Sequence, residues 1–510
     1  MPPEGSKKRD RGDARGVPRA SPQDFPGGGR GIPHDRCMNF FFSYTAPIRR
    51  ARAQASALLL VLIIIAFIVF GLNVARFGRV PPEYLFYLFL ALVVFVLAFM
   101  RTNFALVLLI LSMLLSPEIG VGELSDRAVM IRLDDILLIV IFLGWLAKLA
   151  VFKELGLLKR TPLNGPIMLY VLVCVVSTGI MLTGGHGSFL RSLFYFLKYF
   201  EYFLVYFLVV NNINEMRQVR FFLLLMFFTC FVVSCYGLYS YFATGYRATA
   251  PFEGVGGEAN TLAGYLILML ALVISVLLHN GLPRYRSRLL GVLGMGSATL
   301  LYTLSRGGWL GFIVTCAMMA VYVRKNRLLL IFCLVFLTVL APFAAPRVVR
   351  ERVRTTFASG RTYKIAGREV TIDASGATRI ESWKVGWQKV LEKPVLGHGI
   401  PGGTVVDNQY TRVMIEVGLL GLWAFFFLLR RIFLMARQAR QAMLHDPLAL
   451  SITTGFMAGF IGLLVHALSA ASFIIIRIME PFWFIVAVIV VLPDLVGPSP
   501  KPDFATPEGT

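Results

Sequence analysis

Three arginines and one aspartate stand out as residues that could do chemistry on an anion. Arg247 opens the segment RATAPFEGVGGEANTLAGY (247–265). Its Gly254, Gly256 and Gly257 let backbone approach a ligand closely. Asn260 stands where a helix begins, and a helix amino terminus favours anions. The plain alternative is an ordinary loop with an Asn cap. Arg306 lies in YTLSRGGWLGF (302–312), where two apolar segments meet at Gly307-Gly308; its plain alternative is an arginine snorkelling at a membrane boundary. Arg379 leads RIESWKVGWQKVLEKPVLGHGIPGGTVVDNQY (379–410), which holds His398 in an LGHG turn and ends on Asp407-Asn408. Arg stays protonated and grips an anion with two N–H groups at once. Asp407 is either a general base or a helix cap.

Other groups rank below these. Arg191 and Lys198 are seven apart and share a helix face, with Arg191 placed to touch an anionic ligand. Lys198 and Glu201 are three apart and are expected to neutralise each other. Glu253 and Glu258 are reserve bases, and His186, His466 and Arg477 are expected to be structural. The chain has no Walker A, HExxH, paired CxxC or DxD motif. Five of its six cysteines lie inside apolar runs and read as packing residues. No metal site and no cofactor is expected, so the arginines must supply the positive charge.

The elements that must position these groups are membrane helices. Of 510 residues, 57% are hydrophobic and only 15% charged, with mean hydropathy +0.72. That excludes disorder, a coiled coil and an ordinary soluble enzyme. The net charge of +22 reflects basic cytoplasmic loops rather than nucleic-acid binding. About 12–14 apolar runs have spanning length: 57–76, 84–100, 103–116, 135–152, 165–183, 189–210, 220–243, 259–279, 288–304, 308–323, 327–345, 412–434, 450–473 and 478–493. Residues 1–56 read as a disordered basic tail, within which Met38 offers an alternative start, and 494–510 as a second tail. The fold class is an all-α polytopic membrane protein, with a bundle over 57–345, one large loop over 346–411 and C-terminal spans over 412–493.

With the amino terminus inside, the connections 153–163, 211–220, 280–288, 324–327 and 430–446 all face inward, and all are basic, as the positive-inside rule requires. The basic residues left outside then need another reason. Over 346–410 there are eleven Lys and Arg against six Asp and Glu, which suits an anionic ligand. Within this loop, 347–357 reads as a basic helix and 361–372 as a hairpin around Ala366-Gly367. Residues 379–392 read as a helix lying on the bilayer with Trp383 and Trp387 at headgroup level.

SRGGWLG, then R…W…PVLGHG, then DNQY with Gly418 and Gly421 following, resembles the O-antigen ligase and Wzy-type polymerase superfamily. The segment 247–265 is similar to that family's Arg…Phe…Asn-x-Leu-Ala stretch, and RLDDILL (132–138) resembles a stretch near its fourth helix. The family pattern is His-Asn, nine residues, Gly-x-x-Gly. Here Asn408, nine residues and Gly418-Leu-Leu-Gly421 fit, but Asp407 stands where the family has His. That departure favours a polymerase over a ligase.

The resemblance implies a GT-C-like enzyme performing metal-independent, inverting glycosyl transfer at the periplasmic face of a bacterial inner membrane. It implies an undecaprenyl-diphosphate-linked oligosaccharide donor. The implied acceptor is a glycan, either a second lipid-linked repeat or lipid A-core. Under it, Arg306 and Arg379 act with Asp407 as catalytic residues. Arg247, Asn260, Arg191, Asn408 and His398 bind substrate. A lipid-linked glycan transporter is the remote alternative; it should show repeated halves and midplane charges, and no repeat is evident.

Overall fold

The computed structural model describes residues 82–497 apart from 124–127, 153–158, 186, 254–256, 324–326, 329, 333–334, 336–345, 359–360, 366–367 and 403–405. The expected span 57–76, the tail 1–56, His186 and most of the span 327–345 lie outside the described residues.

The chain runs α1 (Pro82–Met100), α2 (Thr102–Leu115), β1 (Glu118–Glu123), β2 (Ala128–Arg132), α3 (Leu133–Phe152), α4 (Asn164–Thr183), α5 (Phe189–Asn212), α6 (Met216–Thr244) and α7 (Ala259–Leu278). It continues through α8 (Arg286–Tyr302), α9 (Arg306–Tyr322), α10 (Arg347–Ala358), β3 (Arg361–Ile365), β4 (Arg368–Ile372), α11 (Ala374–Glu392), α12 (Gln409–Ala442), α13 (Pro447–His466) and α14 (Ile476–Val496). Among the described residues seven helices, α4 to α7 and α12 to α14, are long and apolar enough to cross a membrane. Phe89–Met100, α2 and α9 are apolar but shorter. The protein is an all-α polytopic membrane protein to which two antiparallel hairpins, β1–β2 and β3–β4, are added. The hairpin at 361–372 matches the sequence expectation; the one preceding α3 was not anticipated. Residues 494–496, expected in the C-terminal tail, belong to α14, and 498–510 lie outside the described residues.

Helix α7 is the centre of the bundle, buried on every face from Thr261 to Val273. It packs chiefly on α13, which in turn packs on α9. Glycines permit this closeness: a Cβ on Gly455 would meet the Ala271 carbonyl oxygen at 2.9 Å, and one on Gly459 the Ala271 Cβ at 2.9 Å. Lipid offers no hydrophobic drive between helices, so close van der Waals contact through small residues has to hold them.

Helix α12 is broken at Gly418 (φ 67, ψ −168). The break frees backbone groups that lipid cannot satisfy, and the turn before the helix supplies their partners. His398 N donates to Ile415 O (2.8 Å) and Gly399 N to Glu416 O (2.8 Å), while Leu419 N donates to Pro394 O (2.8 Å). The PVLGHG and Gly418-x-x-Gly421 motifs are therefore the two halves of one joint. Only glycine fits its centre, because a Cβ at 418 would strike the Val395 carbonyl.

A second polar group sits inside the bundle. Arg132 pairs with the buried Asp134, and Lys198 lies 3.7 Å from Asp135. Lys198 thus faces Asp135 as well as the expected Glu201, which is buried on α5 and within its electrostatic reach.

Candidate active site

The site is assembled where α6 ends and α7, α9, α11 and α12 begin. Gly245 in the left-handed region (φ 71) terminates α6 and turns the chain. Two residues on, Arg247 donates from Nε to Thr303 O (2.8 Å) and from Nη2 to Asn260 Oδ1 (3.1 Å). Asn260, in the first turn of α7, also accepts from Ser305 Oγ (2.8 Å). Ser305 caps α9 by accepting from Gly308 N (3.2 Å). The turn between α8 and α9 is tight enough to hold Leu304 at φ 50, a conformation that L-residues adopt only under constraint. Arg247, Asn260 and Ser305 therefore form one chain of hydrogen bonds that fixes where Arg306 starts.

Arg306 Nη2 reaches Asp373 Oδ2 at 2.9 Å. Asp373 caps α11 by accepting from Gly376 N (3.1 Å). Arg379, two turns into that helix, sets Nε 3.9 Å from Asp407 Oδ2. Arg352 of α10 completes the group, being within electrostatic range of Arg247, Arg379 and Asp373. Four guanidinium groups thus face two carboxylates at one end of the bundle.

The electrostatics follow from this crowding. Burial, with Arg352, Arg379 and Arg306 nearby, pushes the Arg247 guanidinium down to about 10. Burial also lowers Arg379; Arg306 and Arg352 add to the effect, and Asp407 and Asp373 oppose it. At Asp373 burial acts upward, but the Arg306 hydrogen bond, the Gly376 amide and the arginine charges prevail and hold its carboxyl below the usual range. Such a cluster is short of negative charge, and an arriving anion relieves it.

The predicted residues divide by location. Arg247, Asn260, Arg306, Arg379 and Asp407 are brought together. Asp407 is 58% exposed at its side chain and is not the cap of α12. Asn408 is: its Oδ1 accepts from Tyr410 N (2.9 Å) and Thr411 N (3.2 Å), and its Nδ2 donates to Leu468 O (3.2 Å). Gln409 N donates to Ala467 O (3.0 Å) and the Tyr410 hydroxyl to Leu464 O (2.7 Å). DNQY therefore ties α12 to the last turn of α13 with three residues and leaves its aspartate outside. Asn408, expected among the substrate ligands, is engaged in that tie.

His398 is likewise turned inward, with Nε2 2.9 Å from Lys389 O and 3.6 Å from Glu392 Oε2. Arg191 lies in the first turn of α5, half-buried; among the described contacts none joins it to the arginine group. Glu253, a reserve base in the sequence, is held by Arg477 at 3.1 Å in a buried pair. Glu258 precedes α7 and accepts from Thr261 Oγ1 (3.1 Å). His466 is fully buried, with Nδ1 2.8 Å from Ser472 Oγ.

Two residues of the cluster were missed in the sequence. Arg352 is one of several arginines of α10, and nothing in the spacing singles it out. Asp373 had a signal, an Asp three residues before Gly376 at a helix start, which is a capping pattern.

Residues 290–426 match the family model described as O-antigen ligase. The matched stretch runs from α8 into α12. It contains Arg306, Arg352, Asp373, Arg379 and Asp407, whereas Arg191, Arg247 and Asn260 lie before it. No curated protein matches the chain.

Proposed function

From an O-antigen ligase-family domain over residues 290–426, we propose that the protein is a metal-independent, inverting glycosyltransferase. It would act on undecaprenyl-diphosphate-linked glycans at the periplasmic face of the inner membrane. The convergence of Arg247, Arg306, Arg352 and Arg379 carries this reading. In the reaction the bond between the sugar C1 and the diphosphate oxygen breaks, and C1 bonds to an acceptor hydroxyl oxygen on the opposite face. The diphosphate leaves with the electron pair, and the hydroxyl proton passes to Asp407.

Charge fixed where negative charge develops is commonly the largest catalytic contribution, and four guanidinium groups provide it here. Asp407 is the exposed carboxylate beside Arg379, open to an incoming hydroxyl. General-base catalysis is worth about 10²–10⁴-fold. Arg191 is proposed as a further contact for the donor diphosphate, a role taken from its place near the start of α5.

Polymerase is the preferred reaction, since Asp407 stands where the resembling ligases have His. The test is purified full-length protein in lipid with a defined lipid-linked repeat, with and without lipid A-core. A ladder of lengthened lipid-linked products without lipid A-core supports polymerisation. Transfer only when lipid A-core is present supports ligation. Movement of the lipid-linked repeat across vesicles with no new glycosidic bond would instead support a transporter. Turnover is expected to survive EDTA; loss restored by Mg²⁺ would overturn the metal-independent part.

A further inference from the structure

Helix α11 has three faces rather than two. One packs on α12: a Cβ on Gly386 would meet Thr411 Cγ2 at 2.8 Å, and Val390 clusters with Val406 and Ile415. A second, with Lys384, Gln388 and Glu392, is polar and exposed. Between them Trp383, Trp387 and Leu391 follow one another at i, i+4 spacing, and Val395 continues the row past the helix end. These four are 40%, 53%, 65% and 62% exposed. A contiguous exposed row of large apolar side chains marks an interaction surface.

The row joins the lipid-facing side of the bundle. Val395 O accepts from Leu420 N (3.2 Å), and Pro394 O from Leu419 N (2.8 Å). Leu419, Leu420 and Trp423 are exposed on α12, a helix able to cross a membrane. Gly386 packs on Thr411, Val390 on Ile415, and Val395 reaches Leu420, so the row lies beside α12 from its first turn to the break at Gly418; for a helix that crosses a membrane, this is the end at the boundary. Tryptophan concentrates at this depth, its ring in the apolar zone and its N–H toward water. Lys384, Lys389 and Lys393 on α11 and its following turn complement anionic headgroups.

We propose that α11 is an interfacial helix whose Trp383–Trp387–Leu391–Val395 row is seated in the phospholipid leaflet at this end of the bundle. Arg379 then stands one helical turn before the row begins, at the depth of lipid phosphates. A lipid-linked anion would meet the arginine cluster there without leaving the membrane.

The test uses the full chain in nanodiscs of phosphatidylethanolamine and phosphatidylglycerol, one protomer per disc, so that no second copy can cover the row. The emission of Trp383 and Trp387 is the difference between the wild type and the Trp383→Phe/Trp387→Phe variant. Phospholipid brominated at shallow acyl positions is expected to quench most of that emission, and aqueous iodide little of it. Quenching by iodide but not by bromolipid overturns the proposal. A second measurement does not depend on that variant. Spin labels at Trp387→Cys and Gln388→Cys are compared for collision with oxygen and with a water-soluble nickel chelate. A higher oxygen-to-nickel ratio at 387 than at 388 is expected, and equal ratios overturn the proposal. Neither measurement involves turnover, so the outcome is independent of the transfer chemistry.

Discussion

Asp407→Asn separates chemistry from architecture unusually well at this site. The cap of α12 is Asn408, whose Oδ1 takes two amides while Nδ2 binds Leu468 O. Asp407 has no part in it. Its one described ion pair is with Arg379 at 3.9 Å, on a side chain 58% exposed. An exposed pair of that kind contributes at most about 1 kcal/mol, and Asn retains the size and the polar contact. Thermal unfolding of Asp407→Asn should therefore stay close to wild type. Its turnover of a lipid-linked donor should fall on the order of 10²-fold or more, because the amide cannot take the proton. Asn408→Ala gives the opposite pattern: loss of the cap costs about 1 kcal/mol and of the Leu468 hydrogen bond a similar amount. The assays are product length on a gel for turnover and a melting curve for stability, both in the same lipid. Near-normal turnover by Asp407→Asn would remove Asp407 from the mechanism and leave Asp373 as the remaining carboxylate among the arginines.

Arg306→Lys keeps the charge but loses the two-pronged geometry, so donor use should fall while α9, capped by Ser305, remains folded; unchanged donor KM and kcat would refute a phosphate-gripping role. Asp373 has its carboxyl held below the ordinary value, near 4 when unfolded. Its stabilising pair with Arg306 is therefore present above that pH and lost as pH falls through the lower folded value. The stability gap between wild type and Asp373→Asn should shrink on acidification below about pH 4, and a gap constant with pH would contradict this. Gly418→Ala places a side chain at φ 67 and against Val395 O; backbone strain alone costs about 1–3 kcal/mol, and a melting curve unchanged from wild type would refute the joint. Cysteines replacing Thr378 and Asp407 should label from the periplasmic side, and one replacing Gln438 should not. Position 307 is unsuitable for such labelling, because Ser469 occupies the space a side chain would need.

The parts of the site legible in the sequence were those that broke a rule. Under the expected orientation, with the amino terminus inside, Arg247, Arg306 and Arg379 fall on the side that should lack positive charge, and that exception singles them out in the sequence. Loop elements were legible from period and turn residues: the hairpin at 361–372 and helices near 347–357 and 379–392 are present, with α11 starting earlier because Asp373 caps it. The interior joint was hidden, since glycine is common in membrane helices and Gly418 differs only in what packs against it. The structural ties of Asn408 and His398 were hidden for a related reason. Polar residues next to a catalytic motif serve equally well to satisfy backbone, and only their partners, Leu468 and Lys389, distinguish the uses. The polar group of Arg132, Asp134, Asp135 and Lys198 joins residues far apart in the chain, which spacing alone does not reveal.

The joint at Gly418 also bears on how the protein is made. A helix entering lipid with open carbonyls at Ile415 and Glu416 would carry unmet polar groups into hydrocarbon. Their donors, His398 N and Gly399 N, leave the ribosome before them. The loop is therefore already synthesised when the span that needs it is inserted. Exchange of the loop between related chains should accordingly succeed only when the donor sequence brings its own Gly418 region with it. For protein engineering, the turn at 394–399 and the stretch 415–421 are one module, to be moved together.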